Sequence, residues 1–247
     1  FEVSAERDDG GYTAQTTLAG NRLNTKLKDI GNAVTVITAQ LLEDIGATDN
    51  ATLLQYTPNT EVGGIRGNFA GVGDGAVLDE SAHFGNPNNN TRVRGLSAAD
   101  NTRDFFLTDI PWDGYNIDGI DLQRGPNSIL FGQGRPAGII NARTAGANFT
   151  KDSTKITARF GSHDSSRATL DANRVLLPGE LSLRVAGLYD HTQFQQEPAF
   201  SRQKRAYGAT RWEPKLLKRG SARTIIRGNI EAGEVRSNVP RQLPPYD

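Results

Sequence analysis

The chain has 247 residues, with 28 basic and 28 acidic side chains, so no bulk charge draws it to nucleic acid or anionic lipid. It has no cysteine, hence no disulfide or thiolate metal site, and no methionine even at position 1, so we expect a processed product or a fragment. No apolar run of about 18 residues predicts a transmembrane helix, residues 1–10 are too acidic for a signal peptide, and the mean hydropathy of -0.52 suits a soluble β-rich protein or a transmembrane barrel equally.

The first twenty residues are polar and Gly/Thr-rich without periodicity, a flexible lead-in. Within them Phe1, Glu2, Val3, Ser4 and Ala5 alternate apolar with polar or small. That is either a short strand able to add to a sheet edge or a frayed terminus. Residues 33–37 are rich in β-branched side chains and read as a strand. Thr38 is placed to cap a helix over residues 39–45, which Gly46 ends. A second helix over residues 50–56 stops before Pro58. Residues 63–90 are dense in glycine and asparagine and read as a long loop with room for one hairpin, a length that is usually functional or mobile. Alternation returns at residues 91–96, and a strand and turn follow at 105–111.

Residues 117–144, IDGIDLQRGPNSILFGQGRPAGIINART, hold five glycines and two prolines among apolar pairs. No helix survives that density, so the segment must be short strands joined by tight turns. Gly132, Gly134 and Ala137 satisfy a G-x-G-x-x-G/A pattern, with Asp152 twenty residues beyond Gly132. A dinucleotide site also needs a helix opening there, and Gly138-Ile139-Ile140-Asn141 is not one, so no cofactor is expected. His83, His163 and His191 read as solvated loop residues rather than metal ligands. Without a Gly-x-Ser-x-Gly elbow or a P-loop, no catalytic residue is assigned.

After Gly146 the chain turns into alternating segments about ten residues long, the pattern of barrel strands. Ile156, Ala158 and Phe160 oppose Lys155, Thr157 and Arg159; Ala168, Leu170 and Ala172 oppose Arg167, Thr169, Asp171 and Asn173. Beyond a tight turn at Pro178-Gly179, Leu181, Leu183, Val185 and Tyr189 oppose Glu180, Ser182 and Arg184. A fourth strand is read at 205–212 and a fifth at 223–232, with 191–204 as a longer loop. A barrel wall with its apolar face to lipid and a soluble sandwich with that face inward give the same alternation, and pattern alone leaves both open.

The line through Arg124, Gly125, Pro126, Ser128, Phe131, Gly132, Gly134, Gly138, Ile140 and Asn141 resembles the central signature of the plug domain of TonB-dependent outer-membrane receptors. Val93-Arg94-Gly95 is similar to that family's Ile-Arg-Gly strand. Residues 105–111 resemble its Tyr-Val-Asp-Gly-(Ile/Val)-Pro segment, with Thr108-Asp109 where Asp-Gly is usual. The resemblance implies an α+β plug domain, a small mixed sheet with short helices, followed by antiparallel strands of an incomplete transmembrane β-barrel. Residues 1–26 would be the lead-in, 27–147 the plug and 148–247 the first barrel strands. In the family barrel strands follow the plug directly, which favours the barrel over the sandwich. Plugged transporters use about 22 strands, so further strands are expected beyond Asp247. The apolar faces would then meet lipid, with Arg167, Asp171, Arg184, Arg227 and Glu231 on the lumen side. The turns at 178–179 and 213–220 would be periplasmic and 191–204 extracellular. Trp212 would sit in an interfacial girdle or, alternatively, simply in solvent.

By the same resemblance the chain is the N-terminal part of an outer-membrane transporter and not an enzyme. Its plug would gate energy-coupled uptake of a scarce ligand. A siderophore is favoured, because the Pro-Leu-Tyr-Val-Val-Asp-Gly segment usual in carbohydrate importers is absent. The implied partners are the periplasmic C-terminal domain of TonB, reached by a TonB box at Phe1 to Ala5, outer-membrane lipid, and a small molecule such as a ferric siderophore. Nucleic acid is not among them. Arg94, Asp121 and Arg124 are implied as residues that lock the plug to the barrel, with Gly95, Gly125, Pro126, Gly132, Gly138 and Asn141 completing the signature. Asp118-Gly119-Ile120-Asp121 stands where the family usually has Glu-Arg-(Ile/Val)-Glu, so the reach of the acids changes and Gly119 removes a positive charge. Ligand contacts are expected from residues 67–90 and 100–115, where Phe69, His83, Phe84, Phe105, Trp112 and Tyr115 offer aromatic surface. The alternative is a soluble β-rich binding or adhesive protein with a plug-like module.

Overall fold

The computed structural model describes residues 11–12, 14–17, 19, 25–62, 91–96, 98–125, 135–218, 220 and 222–238. Phe1 to Ala5, the loop at 63–90 with Phe69, His83 and Phe84, and the signature residues Pro126, Ser128, Phe131, Gly132 and Gly134 lie outside the described residues. The chain divides into two compact units, Phe1–Thr144 and Ala145–Asp247.

In the first unit, β1 (Thr16–Thr17) pairs antiparallel with β2 (Thr25–Lys26). Strand β3 (Ala33–Thr38) runs into helix α1 (Ala39–Asp44), whose start is fixed by Thr38: its Oγ1 accepts the Leu41 N–H at 3.2 Å. Helix α2 (Asn50–Leu54) is capped by Asp49, which accepts the Thr52 N–H at 2.8 Å. It is shorter than the expected 50–56. Beyond Leu54 the turn tightens, with Tyr56 N–H donating to Leu53 O and Thr57 N–H to Leu54 O, so the last residues leave the α-helical ladder.

Strand β4 (Thr60–Val62) pairs with β5 (Thr91–Val93). Strands β6 (Asp100–Arg103), β7 (Phe106–Leu107), β8 (Ile117–Arg124) and β9 (Gly138–Thr144) join β3 in a five-stranded mixed sheet ordered β3-β8-β9-β6-β7. Only the β6–β9 pairing within it is parallel. The two strands of the 117–144 segment are thus its centre. Both are buried along most of their length, and the burial takes in polar side chains, Asp121, Gln123 and Asn141, beside the apolar ones. Ile120, Leu122, Ile140 and Ala142 pack with Leu42 of α1, Leu53 and Leu54 of α2, and Trp112. Gly138 is held at φ +119 opposite Arg124, where any Cβ would collide with the Gln123 carbonyl oxygen. Only glycine closes this ladder.

The second unit is an antiparallel meander: β10 (Ser153–Phe160), β11 (Ser166–Leu177), β12 (Leu181–Gln193), β13 (Phe200–Trp212) and β14 (Ile226–Asn238), each paired with the next. Strand limits differ from expectation in two places. The 191–204 loop is mostly strand, with its turn confined to residues 194–199, and the fifth strand runs from Ile226 to Asn238 rather than over 223–232. Along both extensions the otherwise apolar face turns mostly polar, with His191, Gln193, Arg202, Lys204, Glu234 and Arg236, so alternation did not mark them.

One face of this sheet exposes Ile156, Phe160, Leu170, Leu183, Val185, Ile226 and Ile230. The other carries Arg167 paired with Asp190 at 2.9 Å, Arg184 with Asp171 at 2.6 Å and Arg205 with Glu231 at 3.7 Å, together with buried Asn173, Ser182 and Tyr207. Among the described residues no helix is long and apolar enough to cross a membrane, which says nothing about strands.

Candidate functional site

Asp121 is fully buried at the middle of β8. Its Oδ1 accepts from Thr17 Oγ1 at 3.1 Å, and its Oδ2 from Asn141 Nδ2 at 3.2 Å. Arg143 Nε lies 3.7 Å from Oδ2 and supplies the opposite charge. Asn141 Oδ1 in turn accepts from Thr102 Oγ1 at 2.9 Å and from the Phe105 N–H at 2.8 Å. A continuous polar chain therefore runs from the β1 strand through the sheet centre to the β6–β7 turn. Of its members, sequence reading selected Asp121 and Asn141 and missed Thr17, Thr102 and Arg143. The available signal for Arg143 was a charged residue interrupting the small and apolar run of β9.

Arg94 and Arg124 form a second feature. Arg94 is exposed, at φ +56 and directly before Gly95, with its N–H donating to Asn59 O at 2.8 Å. Its guanidinium overlies Gly125, where a Cβ would lie 3.5 Å from Nη1. Arg124, at the end of β8, donates from Nη1 to Thr35 Oγ1 at 2.9 Å. Its Nε and Nη2 are shielded from solvent with no hydrogen-bond partner among the described residues. Burial, and then the neighbouring Arg94, push the Arg124 guanidinium below its ordinary pKa. Two like charges with spare planar donors are suited to receiving carboxylates.

The aromatic expectations divide. Trp112 is buried in the core and donates from Nε1 to Asn50 Oδ1 at 2.6 Å, while Asn50 Nδ2 donates to Asn101 Oδ1 at 2.6 Å. Tyr115 is buried in a one-turn 3-10 helix, Gly114–Asn116, that Asp113 caps. Neither offers the surface expected of it: both are buried, and the Trp112 indole N–H finds its partner in the first residue of α2. Phe105 is half-buried in the β6–β7 turn, and the exposed apolar side chains nearby are Phe106, Leu107 and Ile110. Beside them lies a polar cleft of about 330 Å³ lined by Asp100, Leu107, Thr108, Asp109 and Arg135. Asp100 accepts the Arg135 N–H at 2.8 Å and pairs with its Nε at 3.3 Å. Among the described residues no group of three His, Cys, Asp or Glu is placed to hold a metal ion.

A protein-family model described as TonB-dependent Receptor Plug Domain matches residues 26–139. The chain is 25% identical to the ferrioxamine receptor of Yersinia enterocolitica over 96% of its own length and 32% of that protein. It is 28% identical to the metal-pseudopaline receptor CntO of Pseudomonas aeruginosa over 70% of its length and 23% of the relative's. Among solved structures, the alcaligin outer-membrane receptor FauA of Bordetella pertussis superposes with a TM-score of 0.74 at 18% identity, covering 97% of this chain and 38% of that one. The pyoverdine receptor FpvA of Pseudomonas aeruginosa gives a TM-score of 0.76 at 17% identity, covering 97% and 33%. The chain thus spans about a third or less of the length of the curated relatives named here.

Proposed function

We propose that the chain, whose residues 26–139 match the plug-domain model of TonB-dependent receptors, is the N-terminal part of an outer-membrane transporter whose plug gates TonB-energised uptake of a scarce ligand. Relatives named as ferrioxamine and metal-pseudopaline receptors favour a siderophore-type ligand. The observation that carries the reading is the second unit's sheet. Its apolar side chains lie on the exposed face, Ile156 at 75% and Ile230 at 73%, while its ion pairs lie on the other. A water-soluble sandwich hides its apolar face, whereas a barrel wall shows that face to lipid.

Arg94 and Arg124 receive carboxylates from the barrel wall and hold the plug in place. The β6–β7 turn and its neighbouring cleft face the incoming ligand, and Phe1 to Ala5 are taken up by TonB as an added strand. The full-length protein, expressed with its export signal, tests this. It should fractionate with the outer membrane as a heat-modifiable barrel and support growth on a ferric siderophore under iron limitation. The C-terminal domain of TonB should capture it only when residues 1–5 are present. A water-soluble product that TonB never captures would overturn the proposal.

A further inference from the structure

A carboxylate cut off from water needs donors on its oxygens and a positive charge nearby. Asp121, with no exposure, receives its donors from Thr17 and Asn141 and its charge from Arg143. Arg143 reaches that place through a gap. The residue paired with it across the β8–β9 ladder is Gly119. A Cβ at Gly119 would overlap the Arg143 Nη2 and stand 2.7 Å from Ile37 O. The side chain missing from one strand is therefore replaced, in space, by the guanidinium of the next.

We infer that Gly119 and Arg143 form a counter-charge device that positions Asp121, and that Asp121 thereby latches Thr17, and with it Ala19, onto the plug sheet. The latch extends further. Ala19 N–H donates to Thr17 Oγ1 at 3.0 Å, while Asn141 joins Asp121 to the Phe105 N–H and the Thr102 hydroxyl. Withdrawal of the N-terminal segment takes a donor from Asp121, and the same carboxylate is tied through one amide to the β6–β7 turn. Arg143 is a positioning residue that acts through Asp121 on Thr17. The significance of this latch for transport rests on the function proposed above; its existence does not.

The test uses the full-length receptor in detergent, freed of any cysteine outside this segment, with a nitroxide on Gln15→Cys, whose side chain is exposed. Mobility at that position reads the latch. Arg143→Met should raise the mobile fraction about fivefold or more, since the buried carboxylate then loses the positive charge beside its Oδ2. Arg143→Lys should restore most of the order. Asp121→Asn keeps the hydrogen bonds, its amide accepting from Asn141 Nδ2 and donating to Thr17 Oγ1. The Arg143→Met/Asp121→Asn pair should therefore be far less mobile than Arg143→Met alone. Should Arg143→Met fail to assemble, recovery of assembly in the double variant supports the device, and continued failure overturns it. Wild-type mobility in Arg143→Met, or additive losses in the pair, also overturns it. If mobility follows expectation while TonB captures no variant, the transporter reading fails and the latch stands.

Discussion

At single residues, backbone geometry and one exposed hydrogen bond give the sharpest expectations. Gly138→Ala forces a Cβ into the Gln123 carbonyl at φ +119 and should cost about 3 kcal/mol or more. Gly95→Ala, at φ +68 with open space around it, should cost only about 1 kcal/mol, and denaturation midpoints of the two receptor variants measure the difference. Tyr12 donates its phenol to Asp44 at 2.7 Å, and that hydrogen bond, then the charge of Asp44, raises its pKa above the usual tyrosine value. The folded value exceeds the unfolded one, so the contact contributes at neutral pH and is lost as pH rises through the raised value. Ultraviolet titration should show the Tyr12 phenol returning to the ordinary range in Asp44→Ala. The caps at Thr38 and Asp49 come from local hydrogen bonds; the first was legible as a Thr before an apolar-periodic run. Trp112 and Tyr115 were not legible. An aromatic residue in a loop-like stretch has the same sequence signature whether it is buried or exposed.

At the level of elements, the five-stranded meander carries a testable asymmetry. Ile230→Arg places a charge within the exposed apolar band and should cost about 2–4 kcal/mol in lipid vesicles if that residue lies near the bilayer midplane. On a water-exposed surface the same change should be nearly neutral. Urea unfolding of the vesicle-inserted receptor separates the two. The strand faces were read correctly because side chains alternate with period two. The face partners came with the register, as in Arg167 opposite Asp190. Strand ends escaped where the apolar face turns polar, as at Glu234, Arg236 and Asn238 beyond Ile230, because the alternation that marks a strand lapses there.

For the whole molecule, the open sheet and the two plug cations point outside the chain. Among the described residues, strands β10 and β14 each have one paired neighbour in the sheet, so further strands are expected to pair with their outer edges. If Arg124 locks the plug as proposed, Arg124→Glu should turn an attraction to barrel carboxylates into repulsion. Cells making that receptor should become markedly more permeable to large antibiotics, with a barrel that still assembles. The sequence by itself carried the resemblance to a plug, read over 27–147 where the family model matches 26–139, and the alternating antiparallel strands after it, since both are written in local spacing: glycine and proline turns, apolar pairs and period-two faces. Tertiary structure alone decided which groups meet. Thr17 and Asp121 are 104 residues apart, and Gly119 matters because Arg143 is its partner across the ladder. Contacts of that kind depend on the register between distant strands, and no local pattern encodes register.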